Sequence, residues 1–318
     1  MNKIDEPLVS VIINCFNGAR FIENALISVF KQTYKNFELI IWDNQSTDDT
    51  KKIVDSFSDE RIKYYYADKH TNLYTARNKA VKKSNGQFIT FLDCDDWWEN
   101  NKIEKQIKKF QTGDFSIVYA NQRLIFDKKT RFGKHIDVLV CKILSRDHIN
   151  VKKFEKKGFK LEGNILNEIL NDYKVGIATV MIKKEIFDKF DDRFHIIGDF
   201  EFVIRTASKY QIGFIDEILA SYRVHGFNES FRMRKLQIAE LKTWYDETGK
   251  DKLISKLESF KMFKYKLMYL EAMDNVGDRN FREVIRVIYN IPMKLWKLKI
   301  RLLIILLSPS IVVKIFRT

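Results

Sequence analysis

Three apolar runs, Val9–Asn14, Phe37–Asp43 and Ile62–Tyr66, are each followed by a helical repeat, and few architectures accommodate that alternation. Short apolar runs of this kind suit strands buried on both faces. Ile22, Leu26, Val29 and Phe30 share one face of the first helix; Thr50, Ile53, Val54 and Phe57 mark the second; Leu73, Ala76, Ala80 and Val81 mark the third. The pattern predicts an α/β fold with a parallel sheet covered by helices, whose ligands bind beyond the carboxyl ends of the strands. Asn17, Asp43 and Asp93 stand at such ends.

A fourth run, Phe88–Leu92, stops abruptly at Asp93, Cys94, Asp95 and Asp96. Carboxylates this close repel one another and raise each other's pKa unless a cation lies between them, which favours a hard divalent ion such as Mg²⁺ or Mn²⁺. An ion held by one or two carboxylates completes its shell with water and substrate phosphates, so a nucleotide diphosphate is a natural ligand. An acidic turn after a strand is the plainer reading of the same residues.

Four patterns in order resemble a family 2 glycosyltransferase over roughly the first 115 residues. Asn14 to Gly18 follows the first strand and Asp43 to Thr50 the second; Asn72 to Ala80 opens the third helix, and Leu92 to Trp98 holds an Asp-x-Asp element. The resemblance implies a GT-A fold, mostly parallel with helices on both sides, and an inverting transferase of the type that builds bacterial polysaccharides and glycans. It implies nucleotide contacts for Asn17, Asp43, Arg77 and Asp93, and metal ligation by Asp95 with Asp93. The chemistry allows these roles. A carboxylate such as Asp43 accepts hydrogen bonds from a pyrimidine imide or a ribose hydroxyl, and the guanidinium fork of Arg77 suits base or phosphate. A turn residue and a solvated helix arginine are the plainer alternatives. Asp96 is expected to cap the next helix. Of Trp97 and Trp98, one is expected in the core and one in the pocket.

In the second half, Gly176 to Met181 and Lys183 to Phe187 resemble the strand and short helix that precede the family's catalytic acid motif, here Gly198-Asp199-Phe200-Glu201. The resemblance makes Asp199 the general base that takes the acceptor's proton. The family usually has Glu-Asp here, and this chain has Gly198-Asp199. Glu201 ranks below Asp199. Enclosure beside Phe200 is expected to raise the pKa of Asp199 above an ordinary aspartate's, about 3.9. The resemblance further implies a phosphate role for Arg223 and a metal or diphosphate role for His225. Residues 125–175 match nothing in the pattern and are expected to shape the acceptor site; Leu166, Ile169 and Leu170 there suggest a short helix.

The expected organisation is a catalytic domain over 1–230 (nucleotide half 1–115, acceptor half 116–230), a helical extension over 231–280 and a basic amphipathic segment over 281–318. That last segment has eight Lys and Arg against one acid, Glu283, which is half of the chain's net charge of +14. Its apolar run from Leu302 to Val313, interrupted at Ser308–Ser310, falls short of the roughly 20 residues that cross a bilayer. Basic and amphipathic, with Trp296 near its start, it fits adsorption to anionic lipid, with packing on its own domain or a second copy as the alternative. Three cysteines, Cys15, Cys94 and Cys141, without metal spacing, and a polar start suit a reducing compartment. The expectation is a cytoplasmic enzyme at the inner membrane face, with a nucleotide-sugar donor, such as a uridine diphosphate sugar, and a glycan or lipid-linked saccharide acceptor. The rival classes are a non-catalytic nucleotide-sugar-binding protein and a nucleic-acid-binding protein. A pI near 9.4 admits the second, but no nucleic-acid motif is present and no nucleic acid is expected.

Overall fold

The computed structural model describes residues 6–126, 161–226, 228–277 and 280–307. Residues 127–160, which are most of the stretch 125–175 and include Cys141, and the end of the apolar run to Val313 lie outside the described residues. Two compact units are present: the described residues of the first are 6–125 and 161–223, and those of the second are 126 and 224 onward.

The first unit opens with the expected alternation: β1 (Val9–Cys15), α1 (Ile22–Phe30), β2 (Phe37–Asp43), α2 (Thr50–Asp55), β3 (Ile62–Tyr66), α3 (Leu73–Val81) and β4 (Phe88–Asp93). It continues through β5 (Trp97–Trp98), α4 (Lys102–Phe110), β6 (Phe115–Phe126), α5 (Leu166–Asn171), β7 (Met181–Lys183), α6 (Gly198–Ala207) and β8 (Gln211–Val224). The eight strands form one sheet in the order β3-β2-β1-β4-β7-β6-β8-β5. It is parallel from β3 to β4, after which β7 pairs antiparallel with both β4 and β6, and β5 with β8. The register sets Asn14 beside both Trp42 and Asp93, and Cys15 beside Asp43, so three loops meet at one edge.

Alternation along the strands divides the core. Val9, Val11, Ile13, Leu39, Ile41 and Leu92 pack with Ile22, Ala25, Leu26 and Val29 of α1. Burying an aliphatic side chain of this size contributes roughly 1.5–3 kcal/mol, so this layer fixes the strand register. On the other face, Phe91 meets Phe190 at 5.2 Å between ring centroids, and Phe190 meets Phe187, Phe202 and Tyr74 at 5.3, 5.0 and 5.5 Å. Asn72 caps α3 by accepting from the Thr75 N–H at 2.8 Å. Asn78 then pins the helix to the segment before α6: it donates to the Phe190 carbonyl at 2.9 Å and accepts from the Phe190 N–H at 2.8 Å.

The segment Gly176–Met181 departs from the expected strand. Ile177–Thr179 is a 3₁₀ turn, and only Met181–Lys183 joins the sheet. The carbonyls of Ala178, Thr179 and Val180 are taken by Trp98 Nε1, Gln106 Nε2 and Thr90 Oγ1 at 2.8, 2.7 and 2.7 Å. With side chains as partners, this backbone has no need of a neighbouring strand.

The second unit is helical: α7 (Glu229–Arg232), α8 (Arg234–Thr248), α9 (Glu258–Gly277), α10 (Phe281–Asn290) and α11 (Trp296–Leu307). Trp244 packs on Phe260 and Phe263, and Ala272, Met273, Val284, Val287, Ile291 and Leu302 form a common cluster joining α9, α10 and α11. Pro292, which cannot continue a helix, follows the end of α10. One face of the 281–307 stretch is therefore internal. The other leaves Ile285, Tyr289, Met293, Trp296, Ile300, Leu303 and Ile304 exposed at helical spacing. Among the described residues, no helix is long and apolar enough to cross a membrane.

Candidate active site

The loops after β1 and β2 are bound to each other by their own polar side chains. Asn17, with φ 50°, takes the left-handed conformation that asparagine tolerates better than most residues. Its Oδ1 accepts from the Thr47 N–H, and its N–H donates to Ser46 Oγ, both at 2.8 Å. The Gly18 N–H donates to Thr50 Oγ1 at 2.9 Å and the Ala19 N–H to Asp48 at 3.0 Å. A Cβ at Gly18 would lie 2.4 Å from Cys15 Sγ, so glycine is required for the loop to close here. Asp43 is fully buried, accepting from the Ser46 N–H at 2.6 Å and from the Tyr64 hydroxyl at 2.5 Å. It holds the loop from behind.

At the end of β4, Asp93 is half-buried and ion-paired with Arg77, whose side chain is 2% exposed. Arg77 is enclosed by the rings of Tyr74, Phe91 and Phe190 at 5.6, 5.8 and 6.0 Å. Burial acts to lower its pKa, but Asp93, Tyr74 and Asp199 outweigh that and raise it, so the guanidinium is a permanent cation beneath the acids. The solvated helix arginine is thereby excluded. Asp96 is buried too, and burial first, then repulsion from Asp95 and Asp93, pushes its carboxyl well above the usual range. It does not cap a helix, because α4 starts only at Lys102; its Oδ1 instead accepts the Arg223 N–H at 2.8 Å, linking the acidic turn to β8. Arg223 also donates Nε to the Asp95 carbonyl at 2.9 Å and lies 4.7 Å from the Trp97 ring. Trp98 is the core member of the tryptophan pair and Trp97 the half-exposed one.

Among the described residues, no three His, Cys, Asp or Glu side chains form a ready metal cage. The acidic edge nonetheless fits a hard ion of the Mg²⁺ or Mn²⁺ kind. Its donors are all carboxylate oxygens, their mutual repulsion is the kind a cation relieves, and Asp96 Oδ2 is buried without a partner. Beside it, the Asn14 amide and the Trp42 indole N–H, paired in register, are likewise buried and unpartnered. Sequence reading did not single out Asn14, although its place at a strand end was the available signal.

Asp199 is the second residue of α6, half-buried, with Oδ1 accepting from its neighbour's Phe200 N–H at 2.8 Å and from the Tyr74 hydroxyl at 3.1 Å. Burial raises its pKa and Arg77 opposes the rise. Glu201 is tied to Arg205 at 2.7 Å, and Arg205 also holds Asp188, which gives Glu201 a structural partner. The acid missing before Asp199 has a steric explanation: a Cβ at position 198 would lie 2.6 Å from the Tyr74 ring. His225 belongs to the second unit, where it is buried and its N–H donates to Asn228 Oδ1 at 2.6 Å.

A family profile described as Glycosyl transferase family 2 matches residues 10–189. The chain is 41% identical over 122 residues to the Escherichia coli protein named UDP-Glc:alpha-D-GlcNAc-diphosphoundecaprenol beta-1,3-glucosyltransferase WfgD. That match covers 38% of this chain and 48% of the relative, so the chain spans about half the relative's length. Among solved structures, S. aureus TarS 1-349 in complex with UDP-GlcNAc superposes with a TM-score of 0.60 at 13% identity, covering 96% of this chain and 88% of that one. The mannosyltransferase PcManGT from Pyrobaculum calidifontis, in complex with GDP-Man and Mn²⁺, gives a TM-score of 0.60 at 14% identity, covering 98% and 88%. At these identities the two structures establish the likeness of fold, which is GT-A.

Proposed function

This chain belongs to glycosyl transferase family 2, and from that membership we propose that it is an inverting glycosyltransferase moving a sugar from a nucleotide diphosphate to a hydroxyl of a glycan or lipid-linked saccharide. The observation that carries the reading is the acidic edge of Asp93 and Asp95, backed by the buried Arg77, with Asp199 close enough to the same arginine to feel its charge. A uridine nucleotide is the favoured donor, since the names of WfgD and of the TarS complex both carry one.

In this reading Asp93 and Asp95 would hold Mg²⁺ or Mn²⁺, and Arg223 would meet the phosphates. Asp43 and Arg77 support the nucleotide from the layer behind, the exposed Asn17 meets it, and Asn14 offers it an amide. When bound, the ion would neutralise charge on the departing diphosphate. Asp199 takes the proton of the acceptor hydroxyl as that oxygen attacks the anomeric carbon from the opposite side, so configuration inverts. No covalent intermediate is needed. A carboxyl with a raised pKa is a better base than an ordinary aspartate, and the fixed α6 terminus keeps it in reach.

The membrane part of the proposal rests on the exposed stripe from Ile285 to Ile304, which is flanked by Arg282, Arg286, Lys294, Lys297 and Arg301. Apolar residues among cations fit the headgroup region of anionic lipid, where each basic side chain contributes about 1 kcal/mol. A lipid-linked acceptor at the cytoplasmic face would meet the enzyme there. The deciding experiment is a melting-temperature panel of nucleotide sugars with and without Mn²⁺, repeated with Asp199→Asn. The expected outcome is metal-dependent stabilisation by one donor that survives the substitution, while transfer is lost. Full activity in Asp199→Asn would overturn the role of the base.

A further inference from the structure

Tyr74 has no part in the reaction as derived so far, yet it is fixed at both ends. Its ring is 2% exposed and lies against the backbone at Gly198, where a Cβ would fall 2.6–2.7 Å from three ring carbons. Its hydroxyl reaches the Ile196 carbonyl at 2.9 Å and Asp199 Oδ1 at 3.1 Å. The helix that carries it is held to the segment before α6 by Asn78 and by Asn72, whose Nδ2 donates to the Asp192 carbonyl at 2.8 Å. Any residue at 198 with a Cβ would force this ring to move. The phenol and the glycine are therefore one device.

We propose that Tyr74 is a positioning residue for Asp199: its O–H holds one carboxylate oxygen so that the other is presented to the acceptor hydroxyl, and Gly198 is needed to admit the ring. The proposal rests on Asp199 being the base. The groups facing Asp199 are Tyr74 and Arg77 from α3, Asp93 from β4, and Tyr173 just after α5. Arg77 favours the ionised carboxyl, and burial with Asp93 disfavours it. Burial pushes the Tyr74 and Tyr173 phenols well above their ordinary range, so the Tyr74 hydroxyl keeps its proton and acts only as a donor. A hydrogen bond to an ionised carboxylate stabilises that form, and its removal shifts the titration of Asp199 to higher pH.

The test is titration of Asp199 by carboxyl ¹³C NMR in the full chain labelled at aspartate, with the Asp199→Asn spectrum assigning the signal. UDP release from UDP-glucose with Mn²⁺ is measured in parallel across pH. Tyr74→Phe is expected to move both the titration and the acid limb of the rate upward. It should lower the rate at neutral pH about tenfold while leaving the KM for UDP-glucose unchanged, tenfold being the weight of one charge-assisted hydrogen bond. Gly198→Ala, which displaces the ring without removing the hydroxyl, is expected to act in the same direction and serves where the first variant does not fold. An unmoved titration in both variants overturns the proposal, because the phenolic proton then goes to Ile196 alone. Wild-type UDP release in Asp199→Asn sinks the base assignment instead, while the titration still reports whether the Tyr74 contact exists.

Discussion

Replacing Arg77 by Met tests how the acidic edge is supported. The guanidinium is 2% exposed, and its partner Asp93 retains 29% of its side-chain exposure. Breaking a fully buried pair costs about 3–5 kcal/mol, but Asp93 can recover hydration on its open side. The loss should then approach that of one charge-assisted hydrogen bond, about 2 kcal/mol. Asp93→Asn alone would leave Arg77 buried against three rings with a neutral acceptor, so it should cost at least as much. If the pair acts as a unit, the double variant loses less than the sum of the singles by more than about 1 kcal/mol, readable in a chemical-denaturation cycle. Melting temperatures should follow, falling by roughly 3 °C for Arg77→Met in a chain of this size. Additive effects within about 0.5 kcal/mol would refute the argument, as would an Arg77→Met variant as stable as the wild type.

Asp95→Ala is expected to abolish metal-dependent UDP release with the fold intact by circular dichroism; undiminished release would remove Asp95 from the metal site. Lys102 is buried, donates to Thr90 and Gln106 at 2.8 and 2.7 Å, and has a pKa pulled well below its ordinary value by burial. The unfolded chain therefore binds the proton more readily, and between the lowered folded value and the ordinary one near 10.4 stability rises with pH, by at most about 1.4 kcal/mol per unit. Lys102→Met should lack that rise in denaturation series taken across the alkaline range, and parallel curves would contradict the sign. On vesicles containing phosphatidylglycerol, Tyr289→Glu with Trp296→Glu should reduce sedimentation at least tenfold relative to wild type, and neutral vesicles should bind weakly in both cases. These point variants are preferable to removing 281–318, because Val284, Val287 and Leu302 in that stretch are part of the helical core.

The parts of the fold visible in the sequence are those set by neighbouring residues. Strand and helix alternate from β1 to β4 with their apolar periods intact, so each element announced itself, and the acids stood out because they interrupt an apolar run. What escaped depends on distant residues. Tyr74 and Asp199 are 125 positions apart, and nothing local to either marks the contact except a glycine where an acid was expected. The burial of Asp43 is decided by Tyr64 on the next strand, which its own loop does not reveal. Fourteen residues of β8 passed unread because Asp216, Glu217, Ser221 and Arg223 dilute the strand pattern, and the 3₁₀ turn at Ile177 is imposed by side chains from Thr90, Trp98 and Gln106.

Helix α3 carries Arg77 and Tyr74 on consecutive turns, the first pressed on Asp93 and the second on Asp199. A rod this short does not bend between them. If Asp93 and Asp199 act as proposed, a displacement at the first would reach the second through a single turn of backbone.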